Sequence, residues 1–450
     1  MKSIDLTRGS VLKTLVIFSL PLMVTNVVQL LFHAADVAVL GIMADDLAVA
    51  AVGACGALIS FFISLFTGLA TGVNILIARR AGAKDVDGAR RATGTGICIG
   101  FISGIILMIC GIIWARDLLI LMNCQKSVLD DAVIYMRVYF MGMPIIMLYN
   151  FVAAILRSVG DSMRPMVYMF IAGILNVGFN VLFIAGFDMT VEGVAIATVL
   201  SNFVSLMLAL MALFRNRDYC KIELKNLCIR KEELFGIIKI GVPACAGGLC
   251  FYAANIVASS AVNSLSTDAM TANAISGQFD GIIYNIGLAI AVGCMAIVGQ
   301  SFGAGNIERV RKTVSLSVVF VTLVSITVGF VFVLLSRQML GIMTNSESVI
   351  EIARSKMMVL CLTYFITSIM EIFSFSLRAL QRATATTVVC FVCGFVIRAS
   401  WIYIGVSFKP TLGMIYLSYP VSTLCAVFIY AFVYGDTLKR IKRRHLFGIE

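Results

Sequence analysis

Twelve apolar segments, each too long for a buried strand, follow one another along the chain. They run over about 14–40, 48–78, 93–115, 132–156, 165–187 and 190–214. Beyond a polar stretch come 236–263, 270–300, 313–336, 350–377, 385–405 and 412–434. A helix crosses a ~30 Å hydrocarbon layer in about 20 residues. Inside lipid, each segment must also satisfy its backbone N–H and C=O groups internally. The pattern therefore predicts an all-α polytopic membrane protein with twelve transmembrane helices. Only 13% of the 450 residues are charged, about half the usual share of a soluble domain, and the mean hydropathy is +1.00. Such a chain cannot clothe a soluble surface, which excludes soluble enzymes, disulfide scaffolds and disordered regulators. Residues 1–13 lack the layout of a cleaved signal, so the first segment reads as a full span.

The net charge of +11 could suggest a nucleic-acid partner. Its distribution says otherwise. Of the 35 lysines and arginines, 27 fall on one side: the N-terminus, alternate connections, the 215–239 stretch and the tail. Seven fall opposite, namely Arg116, Lys126, Arg137, Arg337, Arg354, Lys356 and Lys409, and Arg398 lies within a span. The positive-inside rule then places both termini in the cytoplasm. The basic surplus is topological, and the expected partner is the lipid bilayer rather than nucleic acid. Two histidines and thirteen scattered cysteines give no metal centre, and the lone CxxC, Cys390–Cys393, sits within an apolar run as core.

The two halves repeat at an offset of 221–222 residues. Pro21 in FSLPLM matches Pro243 in IGVPAC, RRAGAKDVDGARRAT (79–93) matches QSFGAGNIERVRKTV (300–314), and LRSVGDS (156–162) matches LRALQRA (377–383). Six spans per half is an even number, so both halves insert with the same orientation, an arrangement used by many secondary transporters. The expected domains are an N-terminal lobe at 1–214, a cytoplasmic linker at 215–233, and a C-terminal lobe at 234–450 that ends in a basic tail.

Taken in order, these motifs resemble the multidrug and toxic compound extrusion (MATE) family: the paired prolines, the GA-K/G-D/N turns after spans 2 and 8, and LRSVGDSMRP after span 4. The resemblance covers nearly the whole chain. It implies a V-shaped pair of six-helix lobes in the plasma (inner) membrane, acting as a monomer and not as an enzyme. It also implies export of small organic, often cationic, compounds against inward Na⁺ or H⁺, with no cofactor beyond that coupling ion.

Polar groups within spans are costly and ask for a reason. In span 1, Asn26, Gln29, His33 and Asp36 share one helical face. Asp36, a carboxylate within a span, is the leading functional candidate. His33 reads either as a core imidazole or as a proton carrier. Asn176 and Asn180 of span 5 are four apart, as are Thr198 and Asn202 of span 6. At 1.5 Å per residue, Asn180 lies ~22 Å and Thr198 ~18 Å from the cytoplasmic edge, so these groups can share a level with Asp36. One carboxylate among neutral oxygens suits a weakly held monovalent cation or a proton. The resemblance adds that the family's first-half cation site uses an Asp on span 1, a polar pair on span 5 and a Thr on span 6, matching Asp36, Asn176, Asn180 and Thr198. Asn180 stands where the family often has Asp.

In the second half, Glu371 and Arg398 are isolated charges in apolar spans. They read either as an internal pair or, with Asp280, as candidate coupling or substrate-binding groups facing the cavity, with an estimated depth offset of ~10 Å between Glu371 and Arg398. Asp280 in span 8 reads as lining either the cavity or an outer vestibule. Gly96, Gly100 and Gly104 on span 3 predict close helix packing. A second functional reading is a lipid-linked precursor flippase of the same larger fold group, which would want a more basic cavity than Arg398 alone supplies. A membrane-embedded enzyme would need paired acids, a His cluster or a Ser/Lys dyad in the spans, and none is present.

Overall fold

The computed structural model describes residues 4–43, 46–122, 124–215, 219–344, 346–408 and 411–446, without the side chains of His33, Asp46, Leu224, Arg444, His445 and Leu446. The described residues are helical, with no strand among them. The helices are α1 (Val11–Met43), α2 (Asp46–Gly82), α3 (Val86–Leu121), α4 (Leu129–Met141), α5 (Met143–Ser158), α6 (Met163–Val181) and α7 (Val191–Arg215). They continue as α8 (Lys231–Asn263), α9 (Thr267–Gly303), α10 (Ile307–Leu334), α11 (Ser336–Gly341), α12 (Glu347–Ala379), α13 (Ala383–Val389), α14 (Arg398–Phe408) and α15 (Leu412–Leu446). Eleven are long and apolar enough to span a membrane, counting α6 and α13–α14 with their π-helical continuations. The twelfth span is α4 and α5 taken together, bent by 49°. Gly142 caps α4 and Pro144 opens α5. Proline lacks the N–H that would continue the helix, so the span breaks there.

The chain forms two compact units. One holds Met1–Asp5 and Val24–Gly241, the other Leu6–Met23 and Val242–Glu450. Relative to a cut in the 215–233 stretch, this grouping exchanges the opening turns of α1 and α8. The changeovers fall within three residues of the helix-internal Pro21 and Pro243. The repeat is written into the backbone. Lys84 and Gly305 both have positive φ (60° and 71°), as do Gly160 and Gln381 (85° and 64°), each pair 221 positions apart. One residue on from the first pair, Asp85 and Asn306 cap α3 and α10, accepting from the N–H of Gly88 and of Arg309.

In the first unit, α3 packs against α2, α4 and α5. Its glycines let backbones approach: a Cβ on Gly96 would meet Val73 at 2.7 Å, one on Gly100 would meet Phe151 at 2.8 Å, and one on Gly104 would run into Pro144. The linker lies on the start of α3. Arg90 pairs with Glu223 at 3.0 Å, Thr95 donates to the Cys228 carbonyl at 3.2 Å, and Gly94 leaves room for the Asn226 carbonyl. Glu233, in the first turn of α8 and only 1% exposed, faces Arg80 at 3.4 Å and Arg91 at 3.5 Å. In the second unit α12 is central, packed on α9, α10 and α15. Outward helix faces carry bare apolar side chains such as Ile42, Leu121, Ile342 and Phe432, as a lipid-facing surface requires.

Candidate functional site

The first unit gathers four of the residues singled out in the sequence. Asp36 of α1 is 4% exposed. Asn180 of α6 donates its Nδ2 to Asp36 Oδ1 at 2.6 Å, and Thr198 of α7 donates to Asp36 Oδ2 at 3.3 Å. Asn176, one turn before Asn180, donates to Thr198 Oγ1 at 3.3 Å, while its own Oδ1 lies 3.5 Å from Asn180 Nδ2. Three helices thus converge on one carboxylate through neutral groups. The Oδ1 of Asn180 is buried and has no hydrogen-bond partner among the described residues. A buried acceptor left in that state is costly. The helix winds into a π-helical stretch, Leu182–Gly186, directly after Asn180. Such stretches cluster at functional sites.

Asn202 stays outside the cluster: its amide returns to the Thr198 carbonyl at 2.8 Å. The side chain of His33 lies outside the described residues. The sequence reading missed Tyr135 and Tyr139 of α4, both buried and within electrostatic reach of Asp36. Their spacing of four, in a span with few other polar groups, was the available signal.

The second unit gives the remaining charged residues separate partners. Glu371 and Arg398 do not pair. Arg398, 3% exposed, donates Nε to Ser422 at 3.1 Å and Nη1 to Asn255 at 3.1 Å, and its guanidinium lies 4.5 Å from the Tyr419 ring centroid. Glu371 accepts from Tyr284 at 3.4 Å and feels the charge of Arg378, two turns along the same helix. Asp280 forms a buried ion pair with Lys356 at 2.8 Å. Lys356 is therefore not one of the exposed outer charges. It lies nine residues into α12, and counting it with the connections ignored that depth.

The internal duplication also appears in comparison with known proteins. The MatE family profile matches residues 21–182 and again 243–404, together well over half of the chain. The chain belongs to the MatE family. This MATE transporter is 25% identical over 391 residues to the probable multidrug resistance protein YoeA of Bacillus subtilis, covering 85% of this chain and 84% of that one. It is 22% identical over 429 residues to the multidrug export protein MepA of Staphylococcus aureus, covering 95% and 94%. Among solved structures, an outward-facing multidrug resistance MATE family transporter of the MOP superfamily gives a TM-score of 0.90 at 23% identity, over 98% of this chain and 99% of that one. A MOP superfamily transporter from Pyrococcus furiosus Vc1 gives 0.89 at 22%, with the same coverage. At these identities the structural likeness establishes the fold. The family assignment makes the chain a multi-pass membrane transporter and bears out the resemblance drawn from its motifs.

Proposed function

We propose that this MATE transporter exports small organic compounds, cationic ones among them, across the plasma membrane, driven by inward Na⁺ or H⁺ that exchanges at Asp36. The observation that carries the coupling is the buried Asp36 carboxylate held by Asn180 and Thr198, with Asn176 bonded to both, and with the Asn180 Oδ1 unsatisfied among the described residues. A cation entering this cluster would find the carboxylate and two amide oxygens. A proton arriving on Asp36 would turn the acid into a donor, which Asn180 Oδ1 can accept. Either event removes the net charge that holds α6 and α7 onto α1, so occupancy of the site biases how these helices pack. Export of organic compounds is supported by the family and by the multidrug names of its relatives. The 27 basic residues on the linker side, against six outer ones once Lys356 is set aside, support a cytoplasmic placement of both termini and the linker.

The test is efflux of an organic cation from proteoliposomes under an imposed Na⁺ gradient, and separately under a pH gradient. One gradient should drive accumulation against the substrate's own gradient, and the matching ionophore should abolish it. Equal flux with neither gradient present would reduce the protein to a passive path.

A further inference from the structure

The helices α6 and α7 are antiparallel neighbours, so the first turn of one lies beside the last turn of the other at the membrane edge nearest the linker. Ser205 ties them together, donating to the Tyr168 carbonyl at 2.8 Å. At that edge the helices part around a cavity of about 260 Å³, lined by Arg164, Tyr168, Leu208, Met211, Ala212 and Arg215. The spacing explains the lining. Arg164 and Tyr168 are one turn apart on α6, and Leu208, Met211, Ala212 and Arg215 follow the three-and-four rhythm of a single face of α7. Asp161 orients Arg164, pairing with its Nε at 3.3 Å and accepting its backbone N–H at 3.1 Å. Arg215 is exposed and forms no ion pair with any described residue. Deeper along the same two helices, Phe170 and Ile174 of α6 and Phe203 of α7 present exposed apolar side chains.

We propose that this groove binds one anionic phospholipid, with its phosphate between Arg164 and Arg215, the Tyr168 hydroxyl at the glycerol ester level, and its acyl chains along the apolar flanks of α6 and α7. Three observations point to a lipid. The cationic groups sit at the ends of two helices of membrane-spanning length, apolar Leu208, Met211 and Ala212 line the cavity between them, and exposed apolar side chains continue along both helices away from that end. The guanidinium groups of Arg164 and Arg215, facing one cavity, favour an anionic headgroup over a zwitterionic one. The proposal is independent of which ion or substrate the transporter uses.

The experiment is native mass spectrometry of the delipidated, detergent-solubilised full chain, titrated with phosphatidylglycerol or with phosphatidylcholine. The expected result is a first phosphatidylglycerol bound in preference to phosphatidylcholine. In Arg215→Gln its affinity should fall about fivefold, and in the control Lys231→Gln, another exposed basic residue on the same membrane side, it should be unchanged. Arg215 is exposed, so its variant should melt with the wild type. Tyr168→Phe supplies a second variant that keeps the fold and should weaken binding by a smaller factor. Equal loss in Arg215→Gln and Lys231→Gln would overturn the site in favour of diffuse surface charge. Competition by inorganic phosphate as effective as by the lipid would overturn it in favour of a soluble anion, and so would absence of any phosphatidylglycerol preference.

Discussion

Lys356 Nζ lies 2.8 Å from Asp280 Oδ2, with side chains only 6% and 9% exposed, inside the second unit. Lys356 also reaches the Asn273 carbonyl at 3.4 Å. An ion pair withdrawn from water is strongly destabilised when one member is removed, by ~3–5 kcal/mol, whereas replacing both with apolar groups can be nearly neutral. Lys356→Met should therefore lower thermal stability in detergent markedly, and Lys356→Met with Asp280→Leu should recover most of the loss. Melting of the two singles and the double measures this, and a double as unstable as the sum of the singles would argue against the pair.

Glu371 and Arg398 make the opposite case. Their partners are distinct: Tyr284 and the Arg378 charge for the acid, Ser422, Asn255 and Tyr419 for the base. Glu371→Gln and Arg398→Met should add in the double variant to within about 0.5 kcal/mol, as independent sites do. A double more stable than the less stable single would reveal a coupling that the geometry lacks.

Gly94 sets the linker against α3. A methyl there would run into the Asn226 carbonyl, and the linker's links to Arg90 and Thr95 lie on the same surface. Gly94→Ala should cost ~1–3 kcal/mol through overpacking. Gly56→Ala in α2, where nothing lies within 4 Å of the added carbon, should be neutral or slightly stabilising. Limited proteolysis of the linker should accelerate in the first variant only.

Lys225 is 79% exposed on the linker. On a background without native cysteines, Lys225→Cys should resist an impermeant thiol reagent added outside intact cells and react once the membrane is opened. Labelling from outside would reverse the topology read from the basic residues.

The fold and the first-unit cluster were largely legible in the sequence because both rest on helical periodicity. Apolar runs of known length give spans. Offsets of four place Asn176 with Asn180 on one face of a helix, and a depth count at 1.5 Å per residue brings them level with Thr198 and Asp36. The second unit was less legible because depth along a helix fixes neither the direction nor the reach of a long side chain. Lys356 looked like a boundary charge and turned inward to Asp280. Arg398 found neutral oxygens and a tyrosine ring instead of a carboxylate. The bend at Gly142–Pro144 and the π-helical stretches beside Asn180 and Arg398 depend on packing that no single-sequence pattern encodes. Tyr135 and Tyr139 were readable from spacing and were passed over because tyrosine also serves as ordinary core.

The most direct test of ion exchange at Asp36 is gradient-driven efflux by Asp36→Asn in proteoliposomes, measured beside substrate binding to the same preparation. The amide preserves shape and much of the hydrogen bonding to Asn180 and Thr198 but removes the exchangeable charge. The expected result is a folded protein that binds substrate yet shows no efflux above the level without a gradient. Wild-type efflux from that variant would contradict the assignment and move the coupling site away from α1.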